Sequence, residues 1–480
     1  MWSISERRGN GPSAVFVRIA DTVTADIRRG VLRAGDRLPS TRELARRLGV
    51  NRNTVVAAYD DLVAQGWASS RGAAGTFVAA ELPDHPVRRG PERPRGLARR
   101  PGFELDAVPS LPSPVVPAGA RVLLSAGVPD PRLFPRAQLA RAYRRALRSP
   151  AATAALGYTD PYGAPRLRAA IATMLRATRA IPVGPEHVMI TRGSQMALDL
   201  AARLLIRPGD FAAVEALGYL PAWHALTAAG ARLAAVPLDA QGLDVAAIPG
   251  GVRCLYTTPH HQYPTTVLLP QARRLALLER ARRERFAILE DDYDHEFHFD
   301  GRPVAPLASA DAHGSVIYVG SLSKILAPGL RLGFVAAPEP VIAALAAIRG
   351  AIDRQGDHVL EHAIAELVED GEVQRHAHKL RRIYALRREA FAELVRRELG
   401  GAVELELPAG GITLWARAAG DVRLERWQAR ALARGVAFAI ARDFALDRAP
   451  RPFLRLAFAR YDETELASAI RVLARTLRER

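Results

Sequence analysis

GSLSKILAPGLRLGF, residues 320–334, carries Lys324, one of only two lysines in a chain of 480 residues; the other is Lys379. Lysine and arginine together number 67, so nearly every other basic position is arginine. An ammonium can do what a guanidinium cannot: lose its proton near neutral pH and condense with an aldehyde. A lysine kept in so arginine-rich a chain is either an ordinary surface cation or an amine with that task. Its surroundings decide between the two.

The stretch follows one of six short apolar runs of strand type: HVMIT (187–191), FAAVEA (211–216), CLYTT (254–258), FAILEDD (286–292), VIYVG (316–320) and RLGFVAA (331–337). Helical stretches such as SQMALDLAARLLI (194–206) and QARRLALLERARRER (271–285) alternate with them. This order predicts a mostly parallel sheet covered by helices, in which ligands sit beyond the carboxyl ends of the strands. The suggestive residues fall there. Gly193-Ser194-Gln195 opens a helix whose free N–H groups can take a phosphate. Asp291, Asp292 and Tyr293 follow FAILE, and Ser321, Ser323 and Lys324 follow VIYVG, with Arg331 close behind. Phosphate donors, a carboxylate, a phenol and a lysine are the set that pyridoxal phosphate needs.

The N-terminal part has a different pattern. Phe16, Ile19, Val23 and Ile27 recur at helical spacing and Gly30 offers a stop. In LPSTRELARRLGV, Ser40 stands three residues before Glu43, a capping box for a second helix. Asn51 caps a third, RNTVVAAYDDLVAQG, and WASSRGAAGTFVA reads as a β-hairpin around Gly72 and Gly75. Three helices and a hairpin in this order make a winged helix-turn-helix. Arg52, Asn53 and Thr54 would meet base edges, while Ser40, Thr41, Arg42 and Arg71 would hold phosphates of double-stranded operator DNA.

Residues 81–118, rich in proline and arginine, read as an extended linker. The chain therefore divides into a DNA-binding domain at 1–80, a linker at 81–118 and a larger domain at 119–480. The net charge is +17, and per residue the first 80 positions are about twice as basic as the last domain, in keeping with a nucleic-acid partner. A single cysteine, Cys254, excludes an internal disulfide and a cysteine-ligated cluster. No apolar run is long enough for a membrane span and the N-terminus lacks a signal peptide, so the expected location is cytoplasmic.

Residues 12–80, with GDRLPSTRELARRLGVNRNTVVAAYDDLVAQGW as signature, resemble the GntR type of bacterial DNA-binding domain. GVPDPRLFP, GYTDPYGAPRLRAAIA, TRGSQMALDL, TPHHQYPTT, LEDDYDHEF and GSLSKILAPGLRLGF resemble fold-type I aminotransferases. The joint pattern is similar to the MocR/GabR regulators. The resemblance implies a large mostly parallel sheet domain with a smaller α+β part, a homodimer, and pyridoxal phosphate as cofactor. It implies that Lys324 takes the cofactor aldehyde, Asp291 pairs with the pyridine nitrogen, Tyr293 bonds the phenolate oxygen and Tyr219 stacks on the ring. Ser194, Gln195, Ser321, Ser323 and Arg331 would hold the phosphate, and Arg455, with Arg442 as a second candidate, would receive an effector carboxylate.

One departure bears on activity. Where aminotransferases carry Asn-Pro-Thr-Gly, this chain has Tyr263-Pro264-Thr265-Thr266. Tyrosine fits the regulator pattern, while threonine in place of the glycine is unusual there too. The missing asparagine disfavours efficient transamination more than cofactor binding.

The expected function is a regulator that senses a small amine, an amino acid or the cofactor itself. The alternatives are a working aminotransferase carrying a DNA-binding domain, and a plain repressor whose large domain only dimerises. No metal is expected. HVLEH (358–362) formally matches a zinc motif but reads as a packing helix, and Asp294, His295, Glu296 and His298 read as solvated or interdomain contacts. RHAHKLRRIYALRREAF is expected to pack its Leu380, Ile383, Leu386 and Phe391 on the sheet domain.

Overall fold

The computed structural model describes residues 14–83, 102–104, 117–301 and 304–479. The chain falls into two compact units, Met1–Ala107 and Val108–Arg480. Most of the linker expected at 81–118 lies outside the described residues.

In the first unit, α1 (Val15–Arg28) buries Ile19, Val23 and Ile27, and the chain reverses at Gly30 with φ +74°. Ser40 caps α2 (Thr41–Leu48) by accepting from the Glu43 N–H at 3.2 Å. The expected reciprocal half of the box does not form: the Glu43 carboxylate pairs instead with Arg47, one turn on. Gly49 ends α2 at φ 63°. Asn51 Oδ1 accepts from the Asn53 N–H at 2.9 Å and opens α3 (Arg52–Ala64). Strands β1 (Ala68–Ser70) and β2 (Thr76–Val78) form the antiparallel wing. One core of Ile19, Val23, Leu44, Val55, Leu62, Trp67 and Val78 joins these elements.

The second unit is built on seven strands: β3 (Val188–Thr191), β4 (Phe211–Glu215), β5 (Arg232–Val236), β6 (Val252–Thr257), β7 (Ala287–Asp292), β8 (Val316–Ser321) and β9 (Gly333–Ala336). They lie in the order β3-β9-β8-β7-β6-β4-β5. Only β9 runs antiparallel to its neighbours in this sheet. Ile190, Leu255, Ile288, Tyr318 and Phe334 serve the core on one face. Met189, Cys254, Tyr256, Leu289 and Val335 serve the other. This two-sided burial explains why the strands read as near-continuous apolar runs. The sequence reading missed β5, an edge strand of alanine and partly exposed residues.

A smaller antiparallel sheet follows: β10 (Val403–Leu405), β11 (Thr413–Ala418), β12 (Ala439–Ile440) and β13 (Phe453–Ala457), ordered β10-β11-β13-β12. The long helix Glu372–Leu399 packs into this sheet's core through Leu380, Tyr384, Phe391 and Val395. Leu386, expected on its buried face, is 66% exposed, and Tyr384 takes the inward position. Among the described residues no helix is long and apolar enough to cross a membrane.

Candidate functional site

The first unit gathers its polar residues at two helix starts. Arg42, Arg52, Asn53 and Arg71 are exposed, Thr41 and Thr54 partly so. Arg52 Nε reaches Thr41 Oγ1 at 3.4 Å, tying the start of α3 to that of α2. The oxygen of Ser40 is engaged by the cap, so a phosphate there would meet backbone N–H groups. A shallow concavity is lined by Arg42, Ala45, Arg46, Gly49, Val50 and Arg52. Arg46 was not anticipated; its signal was the four-residue spacing from Arg42, which places both on one helix face. Arg71, in the wing, lies over the Phe77 ring with its guanidinium 4.7 Å from the centroid.

In the second unit the ends of β7 and β8 converge, since Asp291 pairs in register with Val319 and Asp292 with Gly320. Asp291 is 4% exposed. Its Oδ2 accepts from the Tyr256 hydroxyl at 3.0 Å, while Oδ1 has no hydrogen-bond partner. Burial raises its carboxyl to about 7, against the pull of the Tyr256 hydrogen bond and the Lys324 charge. Lys324 donates to the Gly127 carbonyl. Desolvation, then the Arg455 guanidinium, lowers its ammonium to about 8.

Arg455, buried on β13, donates to the Ser125 carbonyl at 3.1 Å and leaves Nε without a partner. Its guanidinium lies 4.5 Å from the Tyr263 ring centroid and 5.8 Å from that of Phe444. A side chain at Gly127 would place its Cβ 2.9 Å from Arg455 Nη2, so it would push the guanidinium from its present place. Arg442 stands apart, exposed on the turn Ala441–Phe444, whose Phe444 is the residue that faces Arg455.

The expected phosphate residues come together around the helix α4 (Ser194–Leu205). Gly193 precedes it at φ 74°, and its Cβ position lies 3.2 Å from Arg331 Nη1. Arg331 donates to the Arg192 carbonyl at 2.9 Å, which holds its guanidinium beside the open helix start. Gln195 Nε2 donates to the Pro221 carbonyl at 3.0 Å, and its buried Oε1 is unpartnered. Ser321 Oγ accepts from the Ser323 N–H at 3.1 Å. Tyr219 meets Tyr263 edge to face at 5.5 Å. Tyr293 donates its hydroxyl to the His261 carbonyl at 2.9 Å rather than standing free.

The sequence reading missed the residues that shape the loop after β6. Buried Glu215 accepts from Thr257 Oγ1 at 2.7 Å, Thr258 Oγ1 at 3.0 Å and Gln262 Nε2 at 3.1 Å. These bonds carry the chain into Tyr263. Thr266, at the position where glycine is usual, has φ 64°, a left-handed conformation that β-branched residues rarely adopt. In the stretch Asp294–His298, Asp294 and His298 are 1% and 3% exposed rather than solvated, and His298 bridges Gly410 just ahead of the smaller sheet's β11, the contact between parts that was the other expectation. In HVLEH, His358 contacts Thr159 Oγ1 at 2.9 Å and Glu361 accepts from the Ala164 N–H at 2.6 Å, the contacts of a packing helix.

These residues fit pyridoxal phosphate. The orphan Oδ1 of Asp291 suits a protonated ring nitrogen, the Gly193 helix start with Arg331 suits a dianion, and Lys324 supplies an amine of lowered basicity.

Comparison with known proteins agrees with both halves. The family Aminotransferase class I and II matches residues 122–473, and Bacterial regulatory proteins, gntR family, matches residues 17–78. The chain is 36% identical over 405 residues to the probable rhizopine catabolism regulatory protein MocR of Rhizobium meliloti, covering 83% of this chain and 81% of that one. It is also 36% identical over 478 residues to the HTH-type transcriptional regulator TauR of Rhodobacter capsulatus, covering 98% and 97%. Among solved structures, the multiple substrate aminotransferase of Thermococcus profundus superposes with a TM-score of 0.69 at 32% identity, covering 75% of this chain and 91% of that one. The chain thus belongs to the aminotransferase class I and II family and, with a gntR-family domain ahead of that fold, is a transcriptional regulator of the MocR type.

Proposed function

We propose that this regulator binds pyridoxal phosphate and senses a small amine that carries a carboxylate, passing the signal to operator DNA as a homodimer. The observation that carries the reading is that Lys324 and Arg455 both reach Gly127, an amine of lowered basicity at its carbonyl and a buried guanidinium beside the position a Cβ would take. An amino acid offers the matching pair of groups. The cofactor, when bound, supplies an aldehyde that captures amines. Asp291 Oδ1 would accept a hydrogen bond from the protonated ring nitrogen, α4 and Arg331 would hold the phosphate, and Tyr219 would cover the ring. Arg455 takes the effector carboxylate through its unpartnered edge. In the first unit, Arg52, Asn53 and Thr54 read bases, while Thr41, Arg42 and Arg71 hold phosphates. The division at 1–80, 81–118 and 119–480 belongs to the same reading.

An effector changes operator affinity only by binding two states of the protein unequally. The test is an absorbance titration of the full chain with a panel of amino acids and simple amines, paired with operator binding. One amine that shifts the cofactor band and changes operator affinity together supports the sensor. Repeated transfer of amino groups to a 2-oxo acid, with operator affinity unchanged, makes the protein an enzyme instead.

A further inference from the structure

We propose that His260, His261 and His298 form a binding site for one divalent transition-metal ion of the zinc class, separate from the cofactor pocket and adjoining it. His260 and His261 follow β6, and His298 lies in the turn after β7. These strands are parallel neighbours, so the loops beyond their carboxyl ends meet. One ring nitrogen from each of the three histidines lies within 4.8 Å of the others. All three side chains are buried, at 1%, 2% and 3% exposure.

Their hydrogen bonding is that of a ligand set without its ion. Neither ring nitrogen of His260 has a hydrogen-bond partner, and Nε2 of His261 has none. Buried polar atoms are rarely left so, since each costs free energy when it loses water and gains nothing. His261 Nδ1 is held by Asp294 Oδ1 at 2.8 Å, with both groups buried. A carboxylate on the far nitrogen is the usual support of a metal-bound imidazole, and it turns Nε2 toward the ion. The Gly410 backbone packs close beside this ring, and a Cβ there would stand 2.1 Å from His261 Nε2, so only glycine leaves the imidazole in place.

The donor set selects the ion. Three imidazoles suit zinc, copper, nickel or cobalt, whereas magnesium and calcium require oxygen. Bonds of about 2.0–2.1 Å put tetrahedral ligands about 3.3 Å apart, so the ion would draw the rings slightly together. A cavity of about 190 Å³, lined in part by His295, His298, Met174 and His378, gives the ion a route in. His295 stacks on His260 at 4.5 Å and, with Asp292 2.9 Å from its Nδ1, makes a second possible group with His260; the three-histidine set is the one that offers imidazoles alone. The ion would pin the loop 260–263 to the turn 294–298. Since the His261 carbonyl receives the Tyr293 hydroxyl, it would stiffen one wall of the effector pocket.

The test uses the full chain without a histidine tag, stripped of metal and titrated with Co²⁺. One equivalent should give the visible d–d absorption of a four-coordinate ion and be displaced by Zn²⁺. His260→Gln and His298→Gln should each weaken binding about ten-fold or more, with unchanged circular dichroism. No such absorption, or equal binding in both variants, would overturn the proposal. Should the variants fail to fold, X-ray absorption of the Zn²⁺-loaded wild type decides: scattering from three imidazoles supports the site, and a shell of oxygens overturns it.

Discussion

The Tyr256 hydroxyl donates to Asp291 Oδ2 at 3.0 Å, and the other oxygen of that buried carboxylate has no partner. Burial, working against that hydrogen bond, raises the Asp291 carboxyl to about 7 in the folded chain. A carboxyl raised above its unfolded value of 3.8 contributes no penalty below that value. Its penalty grows as the pH rises towards 7, because the folded state keeps a proton that the unfolded state has released. Cofactor-free Asp291→Asn should match the wild type near pH 4 and exceed it by on the order of 1–3 kcal/mol near pH 8. Urea unfolding at both values measures this. An equal difference at the two values would refute the assignment.

Lys324, with its ammonium lowered to about 8, gains its reactive neutral form within the physiological range. Capture of added pyridoxal phosphate by the cofactor-free chain should speed up about ten-fold per pH unit below about 8 and level off above it. Stopped-flow absorbance follows the reaction. Lys324→Ala should abolish the slow covalent phase and leave operator binding in the absence of effector unchanged.

Arg455 offers its guanidinium edge between Gly127 and the ring of Tyr263. Arg455→Gln should weaken the response to amino acids about 10–100-fold, the cost of a lost charge-assisted pair, while sparing amines that lack a carboxylate. Arg455→Lys should not rescue it, because a point charge cannot reproduce the planar fork. Spectral titration with an amino acid and its decarboxylated amine separates the two effects.

Arg46 and Arg52 line the same concavity in the first unit. Arg46→Ala should lower affinity evenly across sequences and reduce the slope of log affinity against log salt by about 1, whereas Arg52→Ala should cost about 1–3 kcal/mol on the operator and relax its base preference. The cofactor spectrum should not change. A variant that lost both would show that the two units do not act separately.

What the sequence made legible was local. Ser40 and Asn51 cap their helices because a cap needs only two or three residues in a row. The apolar runs of the large sheet were equally plain, as strands buried on both faces must be. The Glu43 carboxylate escaped prediction because Arg47, one turn away, competes for it. The site was legible as residue types beyond strand ends, and its contacts were not. Gly127, Lys324 and Arg455 come from segments far apart in the chain, and no spacing announces that they meet. The same holds for His260 and His298, which only the pairing of β6 with β7 brings together.

The near absence of lysine has a practical consequence. Lys379 is exposed on the long helix, and Lys324 is half-buried. Reagents that modify side-chain amines therefore have two addresses in this protein, one open and one sheltered. Competitive labelling followed by peptide mapping would read occupancy of the pocket as a ratio, with Lys379 as the internal standard. The protein thus carries its own calibrated footprint, and a screen for effectors could use it with no dye, no operator and no identified target gene.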